Sequence, residues 1–230
     1  MTTDTTALAS RGFFPLGFEH RAFGAADASR LPVIDLQELA RQVCVGDVVF
    51  IRVAALPFRK VAAVTGSWTN HVGVIVETDG GNPLVAESTF PFSRLSSLAD
   101  FVARSAGRQV AVARLKDAPT EMQRERLTSA ARKRLRVLYD TGFNLHSSRQ
   151  FCSRYVREVI HEATGLELGE VVTFATLLER RPDSDLRFWL FWYFGRIPWN
   201  RRTVSPASLL NSEHLLTLFH GTVEFLGKRS

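Results

Sequence analysis

The chain has 230 residues, 45% apolar and 23% charged, with a formal net charge of +6. That balance is ordinary for a globular protein with one sizeable core or two small domains. Two cysteines exclude a disulfide framework and suit a reducing, cytoplasmic compartment, and no stretch approaches the ~20 apolar residues that span a bilayer.

Residues 1–30 are rich in Thr, Ala, Gly and Ser without a period, and they predict a loosely held arm. They lack the early positive cluster and continuous apolar run of a signal peptide. Residues 31–230 then form one domain. "DLQELARQ" (35–42) is a short helix or turn. Gly46-Asp47 is a turn, and Val48 to Val53 is a strand rich in β-branched residues. A loop bearing Gly, Ser and Thr runs through "TGSWTN". A second strand, "HVGVIVE", starts at His71. "TDGGNP" is a hairpin-type turn, "LVAEST" a third strand and "QVAVARL" a fourth. Strands this close in sequence predict an antiparallel meander.

Helices follow. Thr120 and Gln123 form a capping-box start, and the helix is expected to run to about Tyr139 and end at Gly142. Ser147 and Gln150 repeat that pattern, predicting a helix to about Thr164 that Gly165 closes. "VVTFATLLER" and "DSDLRFWLFWYFG" are two more helices. Strands and then helices make an α+β domain, with an antiparallel sheet packed against helices.

Two features invite a partner. The basic run Arg124 to Arg136 is interrupted by Leu127, Ala131 and Leu135 near helical spacing, the pattern of a solvated helix face. No nucleic-acid motif accompanies it, so no nucleic-acid partner is expected. In the aromatic helix, Phe188, Trp189, Phe191, Trp192, Tyr193 and Phe194 surround the axis. It suits a core helix, the wall of an apolar cleft, or peripheral contact with a membrane interface. Its few charges favour core or cleft wall over lipid headgroups.

The chain has no Gly-rich phosphate loop, no Cys-x-x-Cys pair, no His-Glu-x-x-His helix and no Gly-x-Ser-x-Gly elbow. No metal and no other cofactor is therefore expected. Cys152 admits two readings. In the first or second turn of a helix capped by Ser147 or Ser148, the unpaired N–H groups and helix dipole favour an anion on sulfur and on an oxygen beside it. Yet Cys152, Tyr155, Val156, Val159, Ile160 and Ala163 form one apolar stripe, where a cysteine is usually a small core hydrophobe. A nucleophilic thiol needs a base held by a third group. His71 opens a strand and so sits on a rigid element. Glu87, in the apolar run "LVAES", needs a partner or a solvated strand end, and adjacent strands bring it beside His71. Cys44 precedes a strand with no helix after it, and core packing is expected.

The blocks "GDVVFIRV", "NHVGVIV", "VAES", "YDTGF", "SSRQFCSRYV" and "GRIPWNRRTVSPASL" follow one another over roughly residues 40–212. In that order they resemble the permuted papain-like branch of the NlpC/P60 superfamily, and most of all the YebB family, related to the YiiX proteins. In this branch the histidine strand precedes the cysteine helix. The resemblance implies a circularly permuted papain-like fold with Cys152 as nucleophile, His71 as base and acid, and Glu87 as the orienting member. It also implies Tyr139 near substrate or oxyanion. Related YiiX-type proteins commonly follow Cys-Ser with an acidic residue, where this chain has Arg154. The implied activity is hydrolysis of an amide in a small peptide or acyl-amide through a thioester. A lipid acyltransferase or esterase with the same triad, acting on an acyl-lipid, is the alternative, and a catalytically silent binding module is the second.

Overall fold

The computed structural model describes residues 31–225; the arm expected over 1–30 lies outside them. Its strands are β1 (Val33–Asp35), β2 (Val48–Val53), β3 (His71–Glu77), β4 (Leu84–Glu87), β5 (Arg94–Ser97), β6 (Ser105–Leu115), β7 (Val172–Thr173), β8 (Arg202–Thr203) and β9 (Leu215–Glu224). The helices are α1 (Leu36–Gln42), α2 (Leu56–Thr65), α3 (Leu98–Ala103), α4 (Glu121–Lys133), α5 (Cys152–Thr164), α6 (Phe174–Arg180), α7 (Leu186–Trp192) and α8 (Pro206–Leu210).

Seven strands form one sheet in the order β1-β9-β6-β2-β3-β4-β5. Of the expected meander, β2-β3-β4 is present with every pair antiparallel, and β5, which was not expected, extends it; the expected fourth strand, "QVAVARL", is part of β6. The chain then returns, and β6 pairs with the other edge of β2. β9 joins β6, and β1 pairs with β9 in parallel. A simple meander is thus corrected to a wider mixed sheet, because β9 comes from a hundred residues after β6 and no local turn announces it.

Both faces of the sheet are covered. Val48, Phe50, Val72, Val74, Val76, Ala111 and Ala113 pack under α4 and α5. Val49, Ile51, Ile75, Val85, Val110 and Val112 pack under α1 and α3. Two buried faces explain the unbroken apolar run "VVFI", which a sheet with one wet face would alternate with polar residues. On α5, Tyr155, Val156, Val159 and Ile160 are fully buried. At about 1.5–3 kcal/mol for each large apolar side chain, that stripe fixes the helix against the sheet. Gly165, in the left-handed region (φ 79°), ends it as expected.

Three local expectations are corrected. Residues 56–65 are the helix α2, not a loop; its N-cap, Ala55, offers no side-chain bond, and Pro57 and the left-handed Gly66 (φ 61°) mark its ends. α4 has its capping box on Thr120 and Gln123 but stops at Lys133. The chain turns at Arg136 (φ 64°), and Tyr139 is drawn into a parallel bridge with Gln150. Gly142 sits instead in a turn made by Asp140, whose carboxylate accepts from the N–H of Gly142 (2.9 Å) and of Asn144 (2.8 Å). β5 and α3, which carry no strong signal in the sequence, supply groups to the site.

Candidate active site

α5 begins at Cys152 itself. Its N-cap is Phe151, which makes no side-chain cap bond, so the capping box expected on Ser147 and Gln150 is absent. Tertiary bonds replace it. Gln150 donates its N–H to Leu138 O (3.0 Å), and its carbonyl accepts from Asp140 N–H (2.7 Å) and Ser88 Oγ (3.0 Å). These hold the residues before the helix like a strand and set Cys152 in the first helical position. There the backbone N–H has no partner within the helix. Ser153 Oγ donates to Val204 O (2.8 Å) and anchors the same turn from the other side.

His71 opens β3 and is fully buried. Two aromatic rings hold its imidazole, Phe101 at 5.6 Å and Phe58 edge-on at 5.8 Å between centroids. Gly73 makes this possible, since a Cβ there would lie 2.4 Å from Val85 Cγ1 and 3.0 Å from the Phe101 ring. Nε2 bonds Glu87 Oε2 at 2.6 Å. Nδ1 is buried without a hydrogen bond of standard geometry, and the Cys152 side chain lies beside the ring. Burial alone would push the imidazole down; Cys152 first, and Glu87 next, raise it to about 9.

Glu87 is fully buried at the end of β4, and the sequence's question of where its charge is compensated has an answer. Oε1 accepts from Ser96 Oγ (2.7 Å), Arg104 Nη2 (2.6 Å) and Arg94 Nε (3.4 Å). Burial alone would raise its pKa; the His71 bond, the charge on that ring and then Arg104 hold the carboxyl well below the usual carboxylate range. Arg104 also lies over the Phe101 ring, 5.1 Å from its centroid. Arg94 and Ser96 carry no signal in the sequence and come to Glu87 through the β4–β5 pairing, and Phe101 and Arg104 come to the site from α3 and its C-cap.

Cys152 lines a narrow cleft with Phe58, Val61, Asn70, Tyr139, Phe143, Phe174, Leu177 and Trp189. The Tyr139 hydroxyl is buried in it beside Cys152, without a hydrogen bond of standard geometry. Burial first, and the neighbouring Cys152 next, hold the phenol well above its usual range, so it keeps its proton at neutral pH. Trp189 on the inner side of α7 is buried and walls this cleft, as the cleft-wall reading of the aromatic helix expected. Trp192 Nε1 donates to Thr141 O (2.9 Å) and Tyr193 Oη to Gly142 O (3.1 Å), tying α7 to the loop after Tyr139. The outer side differs: Phe191 and Phe194 are 81% and 94% exposed.

Cys44 corrects its expectation. It is exposed, in the turn before β2, rather than packed in a core. The basic helix α4 is studded with ion pairs, Arg124 with Glu121, Arg132 with Glu77 and Lys133 with Glu162. Arg154, the departure noted in the sequence, bonds Glu158 Oε1 at 2.6 Å and the carbonyls of Ser147 and Arg149. It serves as a brace for the loop before Cys152. No described helix is long and apolar enough to cross a membrane.

Residues 42–219 match the family described as "Permuted papain-like amidase enzyme, YaeF/YiiX, C92 family". The Escherichia coli (strain K12) protein described as "Uncharacterized protein YiiX" is 24% identical over 187 residues, which span 81% of this chain and 91% of that protein. The crystal structure of a protein titled metalloprotein yiiX, from Escherichia coli O157:H7, superposes with a TM-score of 0.69 at 22% identity, over 77% of this chain and 97% of that one. The likeness shows the fold. Among the described residues of the present chain, no group of three or more His, Cys, Asp or Glu side chains is placed to hold a metal ion.

Proposed function

Because this chain belongs to the permuted papain-like amidase family, an enzyme family, we propose that it cleaves an amide through a Cys152–His71–Glu87 triad and a thioester acyl-enzyme. The observation that carries the reading is a fully buried His71 bound at 2.6 Å to Glu87 through one ring nitrogen, with its other nitrogen left to the Cys152 thiol at the cleft.

The steps follow from these positions. With its pKa raised to about 9, His71 already holds on Nδ1 the proton that Sγ gives up, and Glu87 balances the positive ring. Sγ attacks the carbonyl carbon of the amide. The oxyanion is met by the N–H of Cys152, which has no partner within α5, and by the Tyr139 hydroxyl, which remains a donor because it keeps its proton. The intermediate collapses, the C–N bond breaks, and His71 returns the proton to the leaving nitrogen. Water, deprotonated by the now neutral His71, attacks the thioester and frees the acid and the thiol. The cleft is lined mostly by aromatic and aliphatic side chains, which suits a small peptide or amide with an apolar group at the acyl position.

The test offers the full chain a panel of peptide amides with small, charged and aromatic acyl residues, and reads product and intact mass. Expected are turnover of an apolar member, a mass increase equal to its acyl group, and loss of both in Cys152→Ala. Turnover that survives in Cys152→Ala sinks the proposal.

A further inference from the structure

The outer side of α7 carries groups that the cleft does not use. Arg187, Leu190 and Phe191 recur at the spacing of one helical face, opposite the Trp189 that walls the cleft, and Phe194 follows just past the helix end. All four are exposed, Phe191 to 81% and Phe194 to 94%, and Leu186 and Trp199 flank them, also exposed. Phe194 is held in the left-handed region (φ 51°), a backbone conformation unfavourable for a bulky residue. Neither burial nor backbone preference accounts for an outward Phe there. A surface that takes aromatic rings from water accounts for both.

The charge around the patch identifies that surface. Between Leu186 and Arg202 the chain has Arg187, Arg196, Arg201 and Arg202 and no Asp or Glu. Arg201 is used internally, bonding Gly142 O at 2.8 Å and lying over the Tyr193 ring. Arg187, Arg196 and Arg202 are exposed, and among the described residues none has an ion pair. On α4 and at its C-cap, Arg124, Arg132 and Arg134 are met by glutamates. We propose that the Leu186–Arg202 segment docks on an anionic phospholipid surface, with Phe191 and Phe194 entering the headgroup boundary and Arg187, Arg196 and Arg202 meeting lipid phosphates. A second copy of the chain is a poorer occupant, since a twofold contact would set this arginine-rimmed patch against itself.

The experiment is co-sedimentation of the full chain with vesicles of phosphatidylcholine alone and with 30% phosphatidylglycerol, about one anionic lipid in three. Expected is binding to the anionic vesicles that weakens with salt. Phe191→Ser with Phe194→Ser lowers it at least tenfold, and Arg187→Gln with Arg196→Gln lowers it several-fold and flattens the salt dependence. These side chains are exposed, and unchanged labelling of Cys152 by a thiol probe reports an intact fold and site. Absence of binding to either vesicle, or double variants that bind like the parent, overturns the proposal. So does a dimer in sedimentation velocity that the Phe double variant loses, which makes the patch a self-association face.

Discussion

The two cysteines stand in opposite settings. Cys44 is open to solvent in a turn; its N–H bonds Asp47 Oδ2 at 2.8 Å, and its sulfur lies 4.0 Å from Gln42 O. The nearby carboxylate of Asp47 is itself clamped by Arg114, at 2.7 and 2.8 Å. Cys152 is only 3% exposed, yet it begins a helix, lines the cleft and sits beside His71. Access and activation are thus separated in one chain. A thiol reacts as a nucleophile when a neighbour can take its proton and a field can hold the resulting charge, and exposure alone supplies neither.

The largest effect that tests this contrast is at the imidazole. With an iodoacetamide-type probe near neutral pH, Cys152 is expected to label faster than Cys44. His71→Gln should slow Cys152 by about 10²–10⁴-fold, the usual worth of a positioned base, and leave Cys44 unchanged. Mass spectrometry of the two tryptic peptides reads both rates at once. Equal rates in the parent protein would break the comparison.

Glu87 comes next. Glu87→Gln keeps the shape but leaves Arg104 and the protonated ring without their counter-charge, at a cost of about 3 kcal/mol of stability. Chemical denaturation reads that loss, and Cys152 labelling near neutral pH should fall by at least tenfold. A variant with parental stability and labelling would show that the arginines, and not the carboxylate, organise the ring.

The smallest effect is in pH. His71 is raised in the folded protein from 6.5 to about 9, so its contribution to stability is full below pH 6.5 and fades as pH rises toward 9. Glu87 is depressed from 4.5, so its contribution is present above pH 4.5 and fades as pH falls through its folded value. His220, lowered by burial, acts in the opposite sense to His71, favouring the fold as pH rises through the weakly acid range. The difference in melting temperature between the parent and His71→Gln cancels that common term. It should shrink between pH 6.5 and 9, and a constant difference would mean that His71 does not titrate there.

Much of the site was legible because its members break the pattern of their own elements. His71 and Glu87 are polar residues in apolar strands, and the structure joins them by a 2.6 Å bond. The buried face of α5 also follows from its spacing. What stayed hidden depends on partners distant in sequence. The start of α5 is set by the Tyr139–Gln150 bridge, which overrides a good local capping pattern at Ser147. Arg104 looks like any surface arginine until the sheet places Glu87 within 2.6 Å of it. α2 has no side-chain N-cap, only Pro57 in its first turn and Gly66 at its end, and the exposure of Cys44 depends on how a turn faces water.

The position of β9 has a consequence for synthesis. It is the last described strand, yet it lies between β1 and β6, and β1 touches the sheet only through it. A nascent chain can close the β2–β5 ribbon and bring His71 to Glu87 while the ribosome is still working. The edge of β6 must wait, open and able to pair with a neighbour, until Leu215–Glu224 emerges. Emergence of β9, rather than assembly of the histidine hairpin, is therefore the step that covers the edge of β6.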